Sequence, residues 1–272
     1  MNISLASSPK CAVVVGSGSI GEKHLLNIKA TYPECTLVSV PSRPREYYSN
    51  AVADVCCPSA KDVVDLKPDF AIIASPATMH LEHSKLFASA TIPLLIEKPL
   101  TASYQSSVEL MEFVEEKKLK AKVGYCLRQL PSVQFVKQHL LKGTIGRVVS
   151  VSAKVAQFLP LWRPGVDYKS TVSARKSLGG GVLLELSHEL DLINYLFGDT
   201  NVKSAALINS GTLGIDVEEV AHITLATIQN TIISVELNFL QQHTERYMVI
   251  TGEHGTMCCD WLTNRVKLVS NK

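Results

Sequence analysis

Short apolar runs and amphipathic stretches alternate along the first half of the chain. Cys11–Val15 is a continuous apolar run ending at Gly16, as in a parallel strand buried on both faces. Thr36–Val40, Phe70–Ala74 and Pro93–Ile96 repeat the pattern, and a shorter run, Ala121–Tyr125, follows. Helical patterns fall between them, over Ile20 to about Ala30, about Ala60–Asp65, Ala77–Ser89 and Ser103 to about Lys118. This alternation predicts right-handed βαβ units and a parallel sheet covered on both sides. After about Arg128 the pattern changes. Ser132–Leu141 reads as a helix and Gly146–Gln157 as a long strand, followed by a polar and aromatic loop from Phe158 to Lys176. Gly179-Gly180-Gly181 then leads into a helix predicted over Val182–Phe197. Strands follow at Val202–Ile208, Val217–Ile228, Thr231–Phe239, Arg246–Thr251, Thr256–Leu262 and Arg265–Ser270, with a tight turn at Gln229-Asn230. The expected fold class is therefore α/β, a parallel-sheet domain followed by an α+β domain with an open, mainly antiparallel sheet.

Composition sharpens this picture. The 272 residues suggest two domains, at roughly 150 residues each; the change in pattern places them at 1–128 and 129–272. A formal net charge of +2 argues against a nucleic-acid or membrane-surface partner. The 46% apolar and 19% charged composition is globular. No apolar window reaches the ~18 residues of a membrane span. The start, Met1 to Lys10, is too polar for a signal peptide, and the sequon Asn2-Ile3-Ser4 therefore carries no weight. Seven cysteines, odd in number and without a C-x-x-C, fit reduced thiols in the cytoplasm. No metal site is expected. His80-Leu81-Glu82-His83 matches no zinc spacing, and Cys56-Cys57 and Cys258-Cys259 are adjacent, which is poor geometry for one ion.

The clearest chemical motif is Gly16-Ser17-Gly18-Ser19-Ile20-Gly21, a G-x-G-x-x-G between a strand and a helix. Gly16 permits the tight turn, Gly18 admits a pyrophosphate close to the backbone, and Gly21 lets the helix pack on the strand. Ser19 and Ile20 open the helix, whose first N–H groups face the phosphates. The next strand ends Val40-Pro41-Ser42-Arg43, without the acid that binds a ribose 2′-hydroxyl. A hydroxyl and a guanidinium suit a 2′-phosphate, which predicts NADP over NAD unless Arg43 is simply a solvated loop residue.

Five segments in order then resemble the Gfo/Idh/MocA oxidoreductase family over about residues 11 to 260. They are Gly18-Ser19-Ile20-Gly21-Glu22-Lys23-His24, Ser75-Pro76-Ala77-Thr78-Met79-His80, Glu97-Lys98-Pro99, Gly124-Tyr125-Cys126-Leu127-Arg128, and Gly179-Gly180-Gly181 through His188-Glu189-Leu190-Asp191. The resemblance implies an N-terminal Rossmann domain binding NAD(P). It also implies a C-terminal domain for substrate and oligomerisation, and hydride transfer between nicotinamide and a sugar-like alcohol or ketone. The second reading it leaves open is a regulator that binds the cofactor without turnover.

The same resemblance implies site residues. Lys98 ends a buried strand at the carboxyl edge, where ligands bind in open α/β sheets. Its implied role is acid/base, a task open to a lysine whose pKa is lowered by burial or a neighbouring charge. Pro99 restricts its backbone. Glu97, Ser75, Pro76 and His80 are expected on the cofactor side, with Glu97 steadying the loop or contacting ribose. His188 is implied at the reacting oxygen, with Asp191 orienting its ring or a nearby backbone group. Spacing on one helix puts Glu185, His188 and Asp191 side by side. Glu185 stands three residues before the histidine, where many relatives have Asp four before. Cys126 replaces a common Asn. Arg128 is placed on the substrate side, with Trp162, Arg163 and Tyr168 of the loop before the Gly179–Gly181 run. That loop either holds a sugar or sugar nucleotide, by stacking and by a guanidinium, or plugs its own end of the sheet. The chain ends earlier than expected of the family, which suggests C-terminal truncation, and a homo-oligomer through the C-terminal sheet is expected.

Overall fold

The computed structural model describes residues 8–271, and Asn2-Ile3-Ser4 lies outside the described residues. The chain forms two compact units that divide between Gly124 and Tyr125.

The first unit runs β1 (Cys11–Val15), α1 (Ser19–Thr31), β2 (Thr36–Val40), β3 (Val55–Cys56), β4 (Phe70–Ile73), α2 (His80–Ser89), β5 (Leu94–Ile96), α3 (Tyr104–Glu116) and β6 (Ala121–Val123). Its six strands form one sheet in the order β3-β2-β1-β4-β5-β6, with every pairing parallel. That order, with its reversal beside β1, is the doubly wound Rossmann arrangement. The unbroken apolar run of β1 has a direct cause. Val13 and Val15 enter one core with Ile73, Phe87 and Leu110, while Ala12 and Val14 enter another with Leu25 and Leu37. Both faces are covered, so neither set of alternate positions is polar.

Two sequence expectations change here, and one strand is added. The expected helix near Ala60–Asp65 is a 3-10 helix, Ala60–Leu66. The expected helix from Ala77 begins as a 3-10 turn, Ala77–Met79, before α2. The two-residue strand β3 carries no periodicity to read; it exists because Val55 and Cys56 pair with Val38 and Ser39.

The second unit runs α4 (Pro131–Leu141), β7 (Val148–Ala156), α5 (Val182–Glu185), α6 (His188–Phe197), β8 (Thr200–Ile208), β9 (Val220–Thr227), β10 (Ile232–Asn238), β11 (Glu245–Gly252), β12 (Gly255–Asp260) and β13 (Arg265–Ser270). Its seven-stranded sheet has the order β13-β12-β11-β7-β10-β9-β8. All pairs are antiparallel except β7 with β10, which is parallel. Val151, Val155, Ile233, Val235 and Ile250 face the core with Leu192 and Ile193 of α6. Alternate positions such as Ser152, Lys154, Thr224 and Glu236 line the opposite, open face. At the β9–β10 turn, Asn230 takes a left-handed backbone (φ 61°).

The helix expected over Val182–Phe197 is in fact two. It breaks at Leu186, whose backbone leaves the helical region (φ −100°, ψ 26°), and α6 restarts at His188. The entrance is held from elsewhere in the unit. Glu218 accepts the Leu183 N–H at 3.1 Å through its side chain, and its backbone carbonyl accepts the Val182 N–H.

Candidate functional site

The glycine loop has the shape its spacing predicts. Gly16 has φ +126°, and a Cβ there would stand 2.3 Å from the Ala74 carbonyl oxygen. A Cβ on Gly21 would stand 1.9 Å from the Gly16 carbonyl oxygen. Both positions exclude any side chain. Gly18 differs, because a Cβ there would meet nothing within 4 Å. Gly18 also caps α1 without any side-chain acceptor, and Ser19 and Ile20 are exposed. The first-turn N–H groups of a 13-residue helix therefore face open space beside bare backbone, which fits a pyrophosphate. Next to it, β2 runs into Pro41, half-buried Ser42 and exposed Arg43, with no carboxylate.

Ser75 and Pro76 follow β4. The Ser75 hydroxyl pairs with His83 Nδ1 at 2.9 Å. His80 is only 1% exposed. Its Nδ1 faces the carbonyls of Pro99 and Leu100 at 3.0 and 3.1 Å, and its Nε2 faces that of Ser75 at 2.8 Å. Burial holds its imidazole below the ordinary histidine value against those bonds. His80 therefore lies behind the surface and braces the backbone just after Lys98; it does not line open space.

Glu97 and half-buried Lys98 follow β5 at its carboxyl end, and the Lys98–Pro99 peptide is cis. One Glu97 oxygen meets His24 Nε2 of α1 at 2.7 Å, and the other accepts the Lys98 backbone N–H at 3.3 Å. Gly124 makes this possible, since a Cβ there would approach all three carboxyl atoms to 3.1 Å. Burial raises the Glu97 pKa, but His24, the Lys98 N–H and the Lys98 charge outweigh it and hold the group below its ordinary value. Glu97 is thus tied to the helix that follows the glycine loop. His24 closes the Gly18–His24 motif, and its partner across the unit is not apparent from the sequence. Its position in G-x-I-G-x-x-H was the available signal.

In the second unit, His188 opens α6. Tyr125 presents its ring edge-on to His188, with centroids 5.6 Å apart at 78°. Burial raises the Tyr125 pKa, keeping the phenol protonated. Asp191, one turn on, does not point its carboxylate to a nearby backbone group. It is buried, and it binds Arg128 through both oxygens, with Nε at 2.8 Å and Nη2 closing the pair. The guanidinium also lies 5.0 Å from the Tyr195 ring centroid. Because the helix breaks, the expectation that Glu185, His188 and Asp191 share one helix is corrected: Glu185 ends α5, while His188 and Asp191 stand on α6. Glu185 accepts from the buried Ser173 hydroxyl at 2.9 Å.

The loop residues are largely engaged within their own unit. Trp162 Nε1 donates to the Gln157 carbonyl at 3.2 Å, and its ring stands edge-on to Phe239. The Tyr168 hydroxyl donates to the Leu213 carbonyl at 2.9 Å. Both pack against the core, and Arg163 is exposed. Among the described residues, no group of three His, Cys, Asp or Glu side chains could hold a metal ion. No helix among them is long and apolar enough to cross a membrane.

Strand order and glycine cradle together define a dinucleotide-binding type of Rossmann unit, followed by an α+β unit. The description "Oxidoreductase family, NAD-binding Rossmann fold" matches residues 10–125, and "GFO/IDH/MocA C-terminal domain" matches residues 133–258. The chain belongs to the Gfo/Idh/MocA oxidoreductase family. The uncharacterized oxidoreductase YrbE of Bacillus subtilis is 24% identical over 234 residues, 82% of this chain and 64% of that protein. Levoglucosan dehydrogenase of Pseudarthrobacter phenanthrenivorans is 29% identical over 153 residues, 54% of this chain and 38% of that protein. The chain thus spans less than two thirds of either relative's length. The WlbA dehydrogenase of Bordetella pertussis, solved with NADH and UDP-GlcNAcA, shares the fold with a TM-score of 0.83 at 20% identity, covering 97% of this chain and 83% of that one.

Proposed function

We propose that the protein is an NAD(P)-dependent oxidoreductase acting on a hydroxyl or carbonyl carbon of a sugar or sugar nucleotide. The observation that supports this most is the Glu97–Lys98 segment. It stands at the carboxyl end of the parallel sheet, anchored by His24 to the helix of the glycine loop. Gly16, Gly18, Ser19, Ile20 and Gly21 would hold the pyrophosphate, and Ser75 and Pro76 would flank the cofactor. The nicotinamide, when bound, accepts or donates the hydride. Lys98 takes the hydroxyl proton at Nζ during oxidation and returns it during reduction. His188 hydrogen-bonds the reacting oxygen, and Tyr125 limits its ring positions. Asp191 fixes Arg128, which orients the substrate. Ser42 and Arg43 favour NADP. Levoglucosan and UDP-GlcNAcA, named with the relatives, support a carbohydrate substrate. The open sheet face suits a homo-oligomer, and the cysteine pattern suits the cytoplasm.

The test follows reduced-nicotinamide absorbance against a panel of free sugars and UDP-sugars, for wild type and Lys98→Met. Wild type turns over at least one substrate. Lys98→Met loses about 100-fold or more in kcat while binding coenzyme within two-fold of wild type, in line with general acid–base catalysis. Coenzyme binding with no turnover across the panel would assign the protein as a regulator.

A further inference from the structure

A cavity of about 370 Å³ opens in the first unit beside the end of β2, within the roughly 300–1,000 Å³ of small-ligand sites. Pro41 and Met79 give it apolar walls, a surface on which a flat purine packs. Ser42, at the strand end where a Rossmann unit meets the adenosine ribose, also lines it. So does Lys61, whereas Arg43 does not. Lys61 is exposed and forms no ion pair with any of the described residues. The other lysine in the lining, Lys85, is held by Glu109. One carboxylate, Glu82 of α2, faces the cavity too. It repels a phosphate and accepts from an amino group, so the phosphate belongs on the Ser42 and Lys61 side.

The geometry points to this cavity as the seat of an adenosine 2′-phosphate, with Lys61 as the residue that distinguishes the phosphorylated coenzyme. The assignment rests on the coenzyme-binding reading and moves the deciding cation from Arg43 to Lys61. The Lys61 ammonium and the Ser42 hydroxyl donate to the 2′-phosphate oxygens, and Glu82 accepts from the adenine amino group. An ammonium acts as a point charge, so its position on the cavity wall matters more than the paired geometry a guanidinium needs.

The test is calorimetric titration of the full chain with 2′,5′-ADP, 5′-AMP, NADPH and NADH. Wild type binds 2′,5′-ADP and NADPH about ten-fold or more tighter than 5′-AMP and NADH, the scale of one charge-assisted hydrogen bond. Lys61→Ala loses that preference and keeps NADH within two-fold. Lys61→Arg retains it, and Arg43→Ala leaves most of it. A Lys61→Ala protein with the wild-type preference, or with NADH and NADPH weakened alike, overturns the assignment. So does a wild type that binds NADH without preferring the 2′-phosphate, which leaves the coenzyme reading standing. If neither dinucleotide binds wild type, the coenzyme reading itself falls. Lys61 is exposed, so thermal melts of the variants are expected to match wild type.

Discussion

At the level of single residues, Glu97 connects local chemistry to stability. Its folded pKa is depressed, so it contributes stability that is present above the ordinary carboxylate value and is lost as pH falls through the folded value. His24→Leu removes one donor from a mostly buried carboxylate, which raises that folded value and narrows the gap. The expected result is a loss of about 1 kcal/mol at neutral pH and an acid-unfolding midpoint shifted to higher pH, read by circular dichroism. His24→Gln, which keeps an N–H donor, restores most of both. An unchanged acid limb in His24→Leu would show that the pair adds no stability. The motifs containing these two residues were visible in the chain, but their contact was not. They stand 73 positions apart, and only the parallel sheet, with Gly124 leaving room for the carboxyl group, brings them together.

Among elements, the break at Leu186 is instructive. Leu183-Leu184-Glu185-Leu186-Ser187-His188-Glu189-Leu190 has apolar spacing that runs through the break, so periodicity alone predicts one helix. The entrance of α5, three residues before the break, is held by Glu218, 35 residues beyond Leu183, and no local signal reports that contact. By contrast, β1, β2 and β13 were legible to the residue, because burial on both faces or strict alternation leaves a period that needs no distant partner. Helix α6 is tied to the sheet by Glu189, 1% exposed, which accepts from Arg246 at 2.7 and 3.1 Å. Arg246→Met strips the guanidinium from that carboxylate. The expected cost is about 3 kcal/mol in urea unfolding, with Glu189→Leu/Arg246→Met recovering much of it. A loss below about 0.5 kcal/mol would mean the pair does not anchor α6.

For the molecule as a whole, the open face of the second sheet is the feature with the widest reach. Ser152, Thr224, Ser234 and Tyr247 line it with Lys154, whose ammonium lies 3.5 Å from Glu236 and 3.1 Å from Glu245. If copies meet there, Thr224→Arg places a bulky charge on that face. Light scattering is then expected to show wild-type oligomers and a monomeric variant; equal masses would discard this face as the contact. Both sheet types were legible from the switch in pattern near Arg128, whereas the parallel β7–β10 pair was not, since strand direction leaves no mark on composition. That pair also governs assembly in time. Ser150 of β7 must wait for Ile232 on one side and Thr251 on the other. A nascent chain can therefore complete its amino-terminal sheet on the ribosome while the middle strand of the later one still has no neighbour. During that interval the strand is exposed to chaperones and to mispairing, and chains interrupted before about residue 230 would leave the ribosome with one folded unit and an aggregation-prone tail.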